Sequence, residues 1–292
     1  MILDGTDGED WGKLLAVIVL YNRTLQQVPC GAQVLCWLDT GRLAHCLVYD
    51  NSPIDHARMG IPVQDKVNYV HDPANGGTRC AYHRALDEAE RTGCRWILFL
   101  DHDTHLPVDF LDATAAARGS AGVDAPRCAA IVPEIRDGSV AISPSRITGY
   151  GRVMPWSRAA PSAAGELTAI SSATVARVSA LKRLVPFPVE FSLDYLDHWI
   201  FREIQRHGGV VLVSRAVVAH SLSVQDMSSI GASRYRSILA AEHGFLASGA
   251  GYSRWKHLLW QLARTAKMLV LVRRLDLFGV CISMLLKVGR VR

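Results

Sequence analysis

Apolar runs that stop abruptly at polar residues dominate the first two thirds of the chain. Leu14 to Leu20 is unbroken, Trp96 to Leu100 is unbroken, and Cys46 to Tyr49 is a shorter run of the same kind. Such runs, with no alternation, predict strands buried on both faces. Further strands are expected at Val67 to Val70, Ala129 to Pro133, Leu167 to Thr174, Val210 to Val213 and Val217 to His220. Between them the pattern takes a helical period. Cys80 to Thr92 places Ala81, Leu86 and Ala89 on one side, and Val108 to Arg118, Val175 to Leu184 and Asp194 to Gly208 also read as helices. Strand and helix alternate through the first hundred residues, which argues for an α/β architecture with a largely parallel sheet. Residues 137–165, rich in Gly, Ser, Pro and Arg, predict a long loop or an irregular pair of strands; a loop of that length usually serves a site.

The polar residues that end these runs carry the candidate chemistry, because an open α/β sheet keeps its ligand crevice at the carboxyl ends of its strands. The first strand breaks into Tyr21, Asn22 and Arg23. The second ends in Asp50-Asn51-Ser52-Pro53, where Asp50 either hydrogen-bonds a base or ribose or closes an ordinary Asx or Pro turn. Asn75-Gly76-Gly77-Thr78-Arg79 opens a helix, and glycines there bring backbone N–H groups and the helix dipole near a phosphate, though they suit a plain turn equally. The Trp96 strand delivers Asp101-His102-Asp103. Alternation along a strand points Asp101 and Asp103 the same way, offering hard oxygens to Mg2+ or Mn2+, or else leaves them solvated in a polar turn.

A second acidic cluster lies downstream. Asp194 and Asp197 are one helical turn apart, with Tyr195, Trp199 and Arg202 at spacings of four and three. Asp194 doubles as a candidate N-cap, whereas Asp197 has no capping role to explain it. His220, after another apolar run, is placed to complete a metal shell with Asp103, against the commoner structural role of a lone histidine.

Charge alters the picture at one end only. The formal net charge is +5, yet from Arg254 onward there are nine Lys/Arg against one Asp, so the remainder is net acidic. That tail interleaves Trp255, Leu258, Leu259, Leu262, Met268, Leu269 and Leu271 with Lys256, Arg264, Lys267, Arg273 and Arg274. Its longest charge-free run, Leu277 to Leu286, is well short of the roughly 20 apolar residues that cross a bilayer. A basic amphipathic helix pair on an anionic membrane surface is the favoured reading, a helix pair packed on the main domain the alternative. The seven cysteines form no Cys-x-x-Cys pair, so reduced thiols are expected and zinc is not. The acidic start lacks a signal peptide's basic and apolar regions, so a cytoplasmic protein at the inner face of the cell membrane is expected. No nucleic-acid partner is expected, and a homodimer is left open.

Taken together, Val17-Ile-Val-Leu-Tyr-Asn-Arg23, Val48-Tyr-Asp-Asn-Ser52, Asn75-Gly76, Ile97-Leu-Phe-Leu-Asp-His-Asp-Thr104, Asp194-Tyr-Leu-Asp-His-Trp199 and His220 resemble the family 2 glycosyltransferases, in particular their bacterial rhamnosyltransferase-like branch. The resemblance runs from about Leu14 to about Leu239. It implies a GT-A fold, a Rossmann-like three-layer α/β sandwich with a mixed, mostly parallel sheet, spanning residues 1–240 and followed by a helical appendage at 241–292. It further implies an inverting transfer from a dTDP- or UDP-linked sugar to a glycan or lipid-linked acceptor, in cell-envelope polysaccharide assembly. By the same likeness Asp50 contacts the base, Asp101 and Asp103 form the metal-binding Asp-x-Asp, and Asp197 is the general base, with Asp194 its substitute. Tyr21, Asn22, Arg23, Asn75, Gly76, Arg79 and His102 fall on the donor side, and His198, Trp199 and Arg234 on the acceptor side. The chain departs from the family at Tyr82 or His83, where Asn is frequent, and at His198, where an acidic residue is frequent. Two rival readings are a haloacid-dehalogenase-like phosphohydrolase, loosely imitated by Asp-His-Asp-Thr, and a non-catalytic membrane-associated protein on a GT-A frame.

Overall fold

The computed structural model describes residues 13–55, 65–156, 166–191, 193–219, 230–249 and 253–288. The chain divides into two compact units, one of residues 1–144 and 169–221, the other of residues 145–168 and 222–292. Both units are discontinuous, so the division differs from a single cut at residue 240.

The first unit is built on a mixed sheet. Its elements run β1 (Leu14–Leu20), α1 (Gly31–Asp39), β2 (His45–Asp50), β3 (Val67–His71), α2 (Gly77–Thr92), β4 (Trp96–Asp101), α3 (Phe110–Gly119), β5 (Cys128–Asp137) and β6 (Val140–Ser143). The chain leaves this unit for three short strands, β7 (Ser145–Ile147), β8 (Val153–Pro155) and β9 (Glu166–Thr168). It returns with β10 (Thr174–Arg177), α4 (Val178–Leu181), α5 (Leu196–Arg206) and β11 (Val210–Ala219). The strand order is β11-β5-β10-β4-β1-β2-β3, with β6 on the flank of β5. β3, β2, β1 and β4 are mutually parallel, as are β5 and β11, while β10 is antiparallel to both of its neighbours. All seven residues of β1 are buried, which is what its unbroken apolar sequence requires of a strand with helices over both faces. α2 stops where Gly93 takes φ 68°, its N–H returning to the carbonyls of Ala89 and Glu90, a left-handed cap that glycine adopts without strain.

Two sequence expectations change here. Leu167 to Thr174 is not one strand: β9 and β10 belong to different sheets. The helix expected over Val175 to Leu184 is reduced to α4, because Val175, Ala176 and Arg177 are in the sheet. The Gly- and Pro-rich stretch takes the irregular-strand alternative, supplying β6, β7 and β8.

The second unit joins the β7–β9 sheet to α6 (Ala232–Ala247), α7 (Arg254–Lys267), a π-helical turn at Met268–Val272 and α8 (Leu275–Val288). α8 packs on α6 and α7, around buried Tyr235, Leu239, Met268, Leu277, Val280 and Met284. α7 is inverted relative to an ordinary surface helix. It buries His257, Gln261 and Thr265, yet Trp255 is 76% and Leu259 60% exposed. The inward polar groups are partnered. Glu242 accepts from Arg264 at 2.8 and 3.1 Å and from Gln261 at 3.1 Å. His257 Nδ1 donates to the Tyr150 carbonyl at 3.2 Å, and its Nε2 accepts from Gln261 at 3.1 Å. Arg152 lies over the Trp260 ring at 4.1 Å. Among the described residues no helix is long and apolar enough to cross a membrane.

Candidate active site

The parallel register brings the strand ends into one row. Leu20 is paired with Asp50 and Val19 with Asp101, so the two carboxylate positions flank β1, roughly 10 Å apart by strand spacing. Backbone strain collects at the same edge. Asn22, Asn75, Ala173 and Tyr195 all have positive φ, between 51° and 64°, a conformation that costs a non-glycine residue energy and that clusters at functional sites.

Asp50 is fully buried. Its Oδ1 accepts the Ser52 N–H at 2.9 Å and also the Ser52 hydroxyl, and its Oδ2 accepts the Tyr69 hydroxyl at 2.9 Å. The i to i+2 bond is an Asx turn, so Asp50 anchors the Asn51-Ser52 loop. Ser52 Oγ in turn accepts the Asn22 N–H at 2.8 Å, which ties the ends of β1 and β2 together. Tyr21, Asn22 and Arg23 stand exposed beyond them.

The loop after β3 is organised by a residue that the sequence reading passed over. Asp72 Oδ2 accepts the Tyr49 hydroxyl at 2.8 Å and the Gly76 N–H at 2.9 Å, and its Oδ1 accepts the Ala74 N–H at 3.1 Å. Burial alone raises the Asp72 pKa, but these hydrogen bonds outweigh it and hold the carboxyl below its ordinary range. Gly76 sits so close that a Cβ there would lie 2.6 Å from Cys80 Sγ and 2.8 Å from Asp72 Oδ2. The Gly77 N–H reaches Asn51 Oδ1 at 3.3 Å, joining this loop to the one after β2. Arg79 is half-buried in the first turn of α2. The signal for Asp72 was present in Asp-Pro-Ala-Asn-Gly, a run of turn-forming residues led by an aspartate.

β4 ends at Asp101, and a tight turn follows rather than a continuing strand. The Thr104 N–H donates to the Asp101 carbonyl at 3.2 Å while the Asp101 N–H donates to Thr104 Oγ1 at 3.1 Å. Turn geometry, not strand alternation, therefore sets the relation of Asp101 to Asp103. Both carboxylates bear on Cys30, whose thiol is pushed up to about 12, first by burial and then by their negative charge. Asp101, His102 and Asp103 are half-buried, and the Oδ1 atom of Asp103 is shielded from solvent. Thr104 Oγ1 and Ser172 Oγ share a hydrogen bond of 2.6 Å, which fastens the turn to the lead-in of β10.

Asp197 lies at the second position of α5. Tyr195, at φ 64°, is the N-cap; Asp194 lies before the helix, which corrects the reading of it as a cap. The His198 N–H donates to Asp197 Oδ1 at 2.8 Å. The Asp197 pKa is raised, chiefly by burial. His198 and its N–H pull it down, while the charges of Asp101 and Asp194 push it up. Asp197 lines a small cavity with Tyr82, Phe99, Ser171, Thr174 and Phe201. Tyr82 donates to Ser171 Oγ at 2.5 Å and lies 4.2 Å from the Phe99 ring. Burial raises its pKa far above the ordinary phenol value, and Asp101 and Asp197 both add to the rise. Carboxylates from two distant stretches of sequence thus act on one buried tyrosine.

Next to them, His83, Phe187 and Trp199 form an aromatic wall. The His83 and Phe187 rings are 4.8 Å apart, the Phe187 and Trp199 rings 6.4 Å, and the His198 ring lies 5.0 Å from that of Tyr195. Arg234 lies half-buried on α6, in the second unit. His220 lies outside the described residues.

Among the described residues no three metal-ligating side chains close on one point. Asp101 and Asp103 present two hard carboxylates. That set fits a cation such as Mg2+, which is commonly held by one or two carboxylates together with substrate phosphate and water.

An open α/β sheet with an antiparallel strand between β4 and β5, and an aspartate-rich turn at the carboxyl end of β4, can be compared with known structures. The fold is GT-A. A mannosyltransferase from Pyrobaculum calidifontis, in complex with GDP-Man and Mn2+, is 14% identical, with 95% of this chain and 87% of that one covered and a TM-score of 0.55. GalNAc-T7 with UDP, GalNAc and Mn2+ is 13% identical at a TM-score of 0.57; the match covers 79% of this chain but 48% of that one. S. aureus TarS 1-349 in complex with UDP-GlcNAc is 13% identical, with 92% and 79% covered and a TM-score of 0.51. No protein-family model matches the chain, and no curated protein matches it by sequence.

Proposed function

We propose that the chain is an inverting glycosyltransferase that moves a sugar from a nucleoside-diphosphate donor to a hydroxyl of a glycan or lipid-linked acceptor. The observation that carries this reading is that Asp197 lines a cavity with Tyr82 and with Phe99, which lies two residues before Asp101 on β4, at the carboxyl edge of a GT-A sheet. The UDP, GDP-Man and Mn2+ bound by the structural neighbours support a nucleotide sugar and a divalent cation here. In this reading the turn anchored by Asp50 lies under the base, and Tyr21, Asn22, Arg23, Asn75, Gly76, Arg79 and His102 border the donor. Asp101 and Asp103 hold Mg2+ or Mn2+, which when bound offsets the charge that develops on the departing diphosphate. Asp197 accepts the proton of the attacking hydroxyl, and its raised pKa makes it a stronger base than a solvated carboxylate. His198 and Trp199 border the acceptor. Rhamnose on dTDP or UDP is the first donor to try. The outward apolar side of α7, with exposed Lys256 and Lys267 beside it, supports attachment to an anionic membrane surface at the cytoplasmic side.

The test is a pair of variants. Asp197→Asn removes the proton acceptor and should lower transfer by about 10²–10⁴-fold, with nucleoside-diphosphate binding in Mg2+ unchanged. Asp103→Ala should weaken that cation-dependent binding itself. Full transfer by Asp197→Asn overturns the assignment of the base, and cation-independent nucleotide binding by the wild type overturns the metal site.

A further inference from the structure

The opposite end of the same sheet carries a basic cleft that the proposed transfer does not use. β10 runs against its neighbours, so its last residue, Arg177, is paired with Trp96, the first residue of β4. Asp101 lies five residue steps along the strand from Trp96, which puts Arg177 roughly 16 Å from the catalytic edge. Two cavities meet at Arg177 and Ser179. One, of about 330 Å³, also takes Arg95 and Lys182 into its wall; the other, of about 480 Å³, takes Arg127 and Arg183. Among the described residues no Asp or Glu lines either. Outside partners supply counter-charge: Lys182 pairs with Glu90 at 2.8 Å, and Arg127 pairs with Asp124.

The state of Arg177 sets this cleft apart from a merely solvated basic face. Its guanidinium is held 4.9 Å from the Trp96 ring centroid, while Arg118 lies 5.3 Å from the same centroid. Nε and Nη2 are buried and, among the described residues, have no hydrogen-bond acceptor. These two nitrogens form one edge of the guanidinium, the fork that takes two oxygens of a single phosphate or carboxylate side-on. A buried charged donor without an acceptor is costly, and a bound oxyanion removes that cost. The surrounding excess of cations favours a dianion over a carboxylate.

We infer that this cleft is a second ligand site, specific for a phosphate group, in which Arg177 swings its Nε/Nη2 edge, sealed from solvent in the free chain, out to the anion as the bidentate donor, with Arg183 and Lys182 at the rim. The phosphate belongs either to a free phosphorylated small molecule or to a lipid headgroup. The site stands independently of the sugar-transfer reading.

Inorganic phosphate titrated onto the full chain in EDTA, against chloride of equal ionic strength, tests the inference by calorimetry and thermal shift. Without a divalent cation the carboxylates at the other edge repel the probe. Phosphate should bind and raise Tm. Ser179→Glu, which sets a carboxylate in the exposed wall shared by both cavities, should weaken binding about tenfold or more. Arg183→Gln, at an exposed position, should weaken it by a smaller factor and serves if Ser179→Glu fails to fold. A second arm floats the same proteins with vesicles containing phosphatidic acid. Loss of flotation in Ser179→Glu assigns the phosphate to a headgroup, and binding of soluble phosphate alone assigns it to a free ligand. No response of the wild type to either probe overturns the inference, as does undiminished binding by folded variants.

Discussion

Replacing Asp72 by Ala tests whether the loop between β3 and α2 is prepared in advance for the donor. The carboxylate accepts one phenolic hydroxyl and two backbone N–H groups. In the variant, water can serve the Ala74 and Gly76 N–H groups, which lie near the surface. The hydroxyl of Tyr49, a buried residue, loses its acceptor, and an unmet buried donor costs about 1–3 kcal/mol. With about 1 kcal/mol more for the two backbone bonds, the loop loses roughly 2–4 kcal/mol. If binding must restore that order, the affinity for a nucleoside diphosphate in Mg2+ falls by about 30-fold to 1,000-fold at the limit. Calorimetric titration with UDP and GDP measures it, and Tyr49→Phe, which removes only the phenol, should give a smaller loss. The charge adds a pH signature. Because the folded pKa of Asp72 lies below its ordinary value of 3.8, the stabilisation is complete above that value and is lost as pH falls through the folded pKa. An Asp72→Ala protein whose affinity stays within about twofold of the wild type would refute the reasoning, since an energetic loss of this size corresponds to more than tenfold.

Three further outcomes are expected. Asp194→Asn removes a negative charge that raises the Asp197 pKa, so the acidic limb of kcat/KM should move to lower pH; a limb that stays in place or moves upward counts against Asp197 as the base. Gly76→Ala forces a Cβ within 3 Å of Cys80 and Asp72, so it should cost roughly 1–3 kcal/mol by overpacking and weaken donor binding more than acceptor binding, as initial-rate kinetics with each substrate varied will reveal. Glu242→Gln breaks the buried pair with Arg264 and should lower unfolding stability by roughly 3 kcal/mol; a urea midpoint equivalent to less than about 1 kcal/mol speaks against the network as a stabilising element.

What could be read from the sequence follows from how strongly each position is constrained. β1, β2 and β4 were legible because a strand covered by helices must be apolar on both faces, and each is followed by the polar residues that the sheet edge requires. β10 was not. Four residues, Thr174-Val-Ala-Arg177, carry too little period to separate a strand from a helix start, and its antiparallel direction is a tertiary fact. Asp197 stood out because the sequence offered no capping role for it, yet in the structure its Oδ1 accepts a first-turn N–H of α5, that of His198. Asp50 was ambiguous between ligand contact and Asx turn, and hydrogen bonding to Ser52 and Tyr69 shows the turn. In α7 the helical period revealed two unlike faces but not which faces inward, because the polar partners of His257 and Gln261 come from Glu242 and Tyr150, far away in sequence.

The interrupted layout of the second unit has a consequence for synthesis. Residues 145–168 leave the ribosome well before α6, α7 and α8, yet Tyr150 and Arg152 find their partners His257 and Trp260 only on α7. The main sheet can close once β11 has emerged, whereas the β7–β9 segment must wait about a hundred residues, some 5–20 s at ordinary elongation rates. The main sheet can therefore assemble first, and the second unit matures after it.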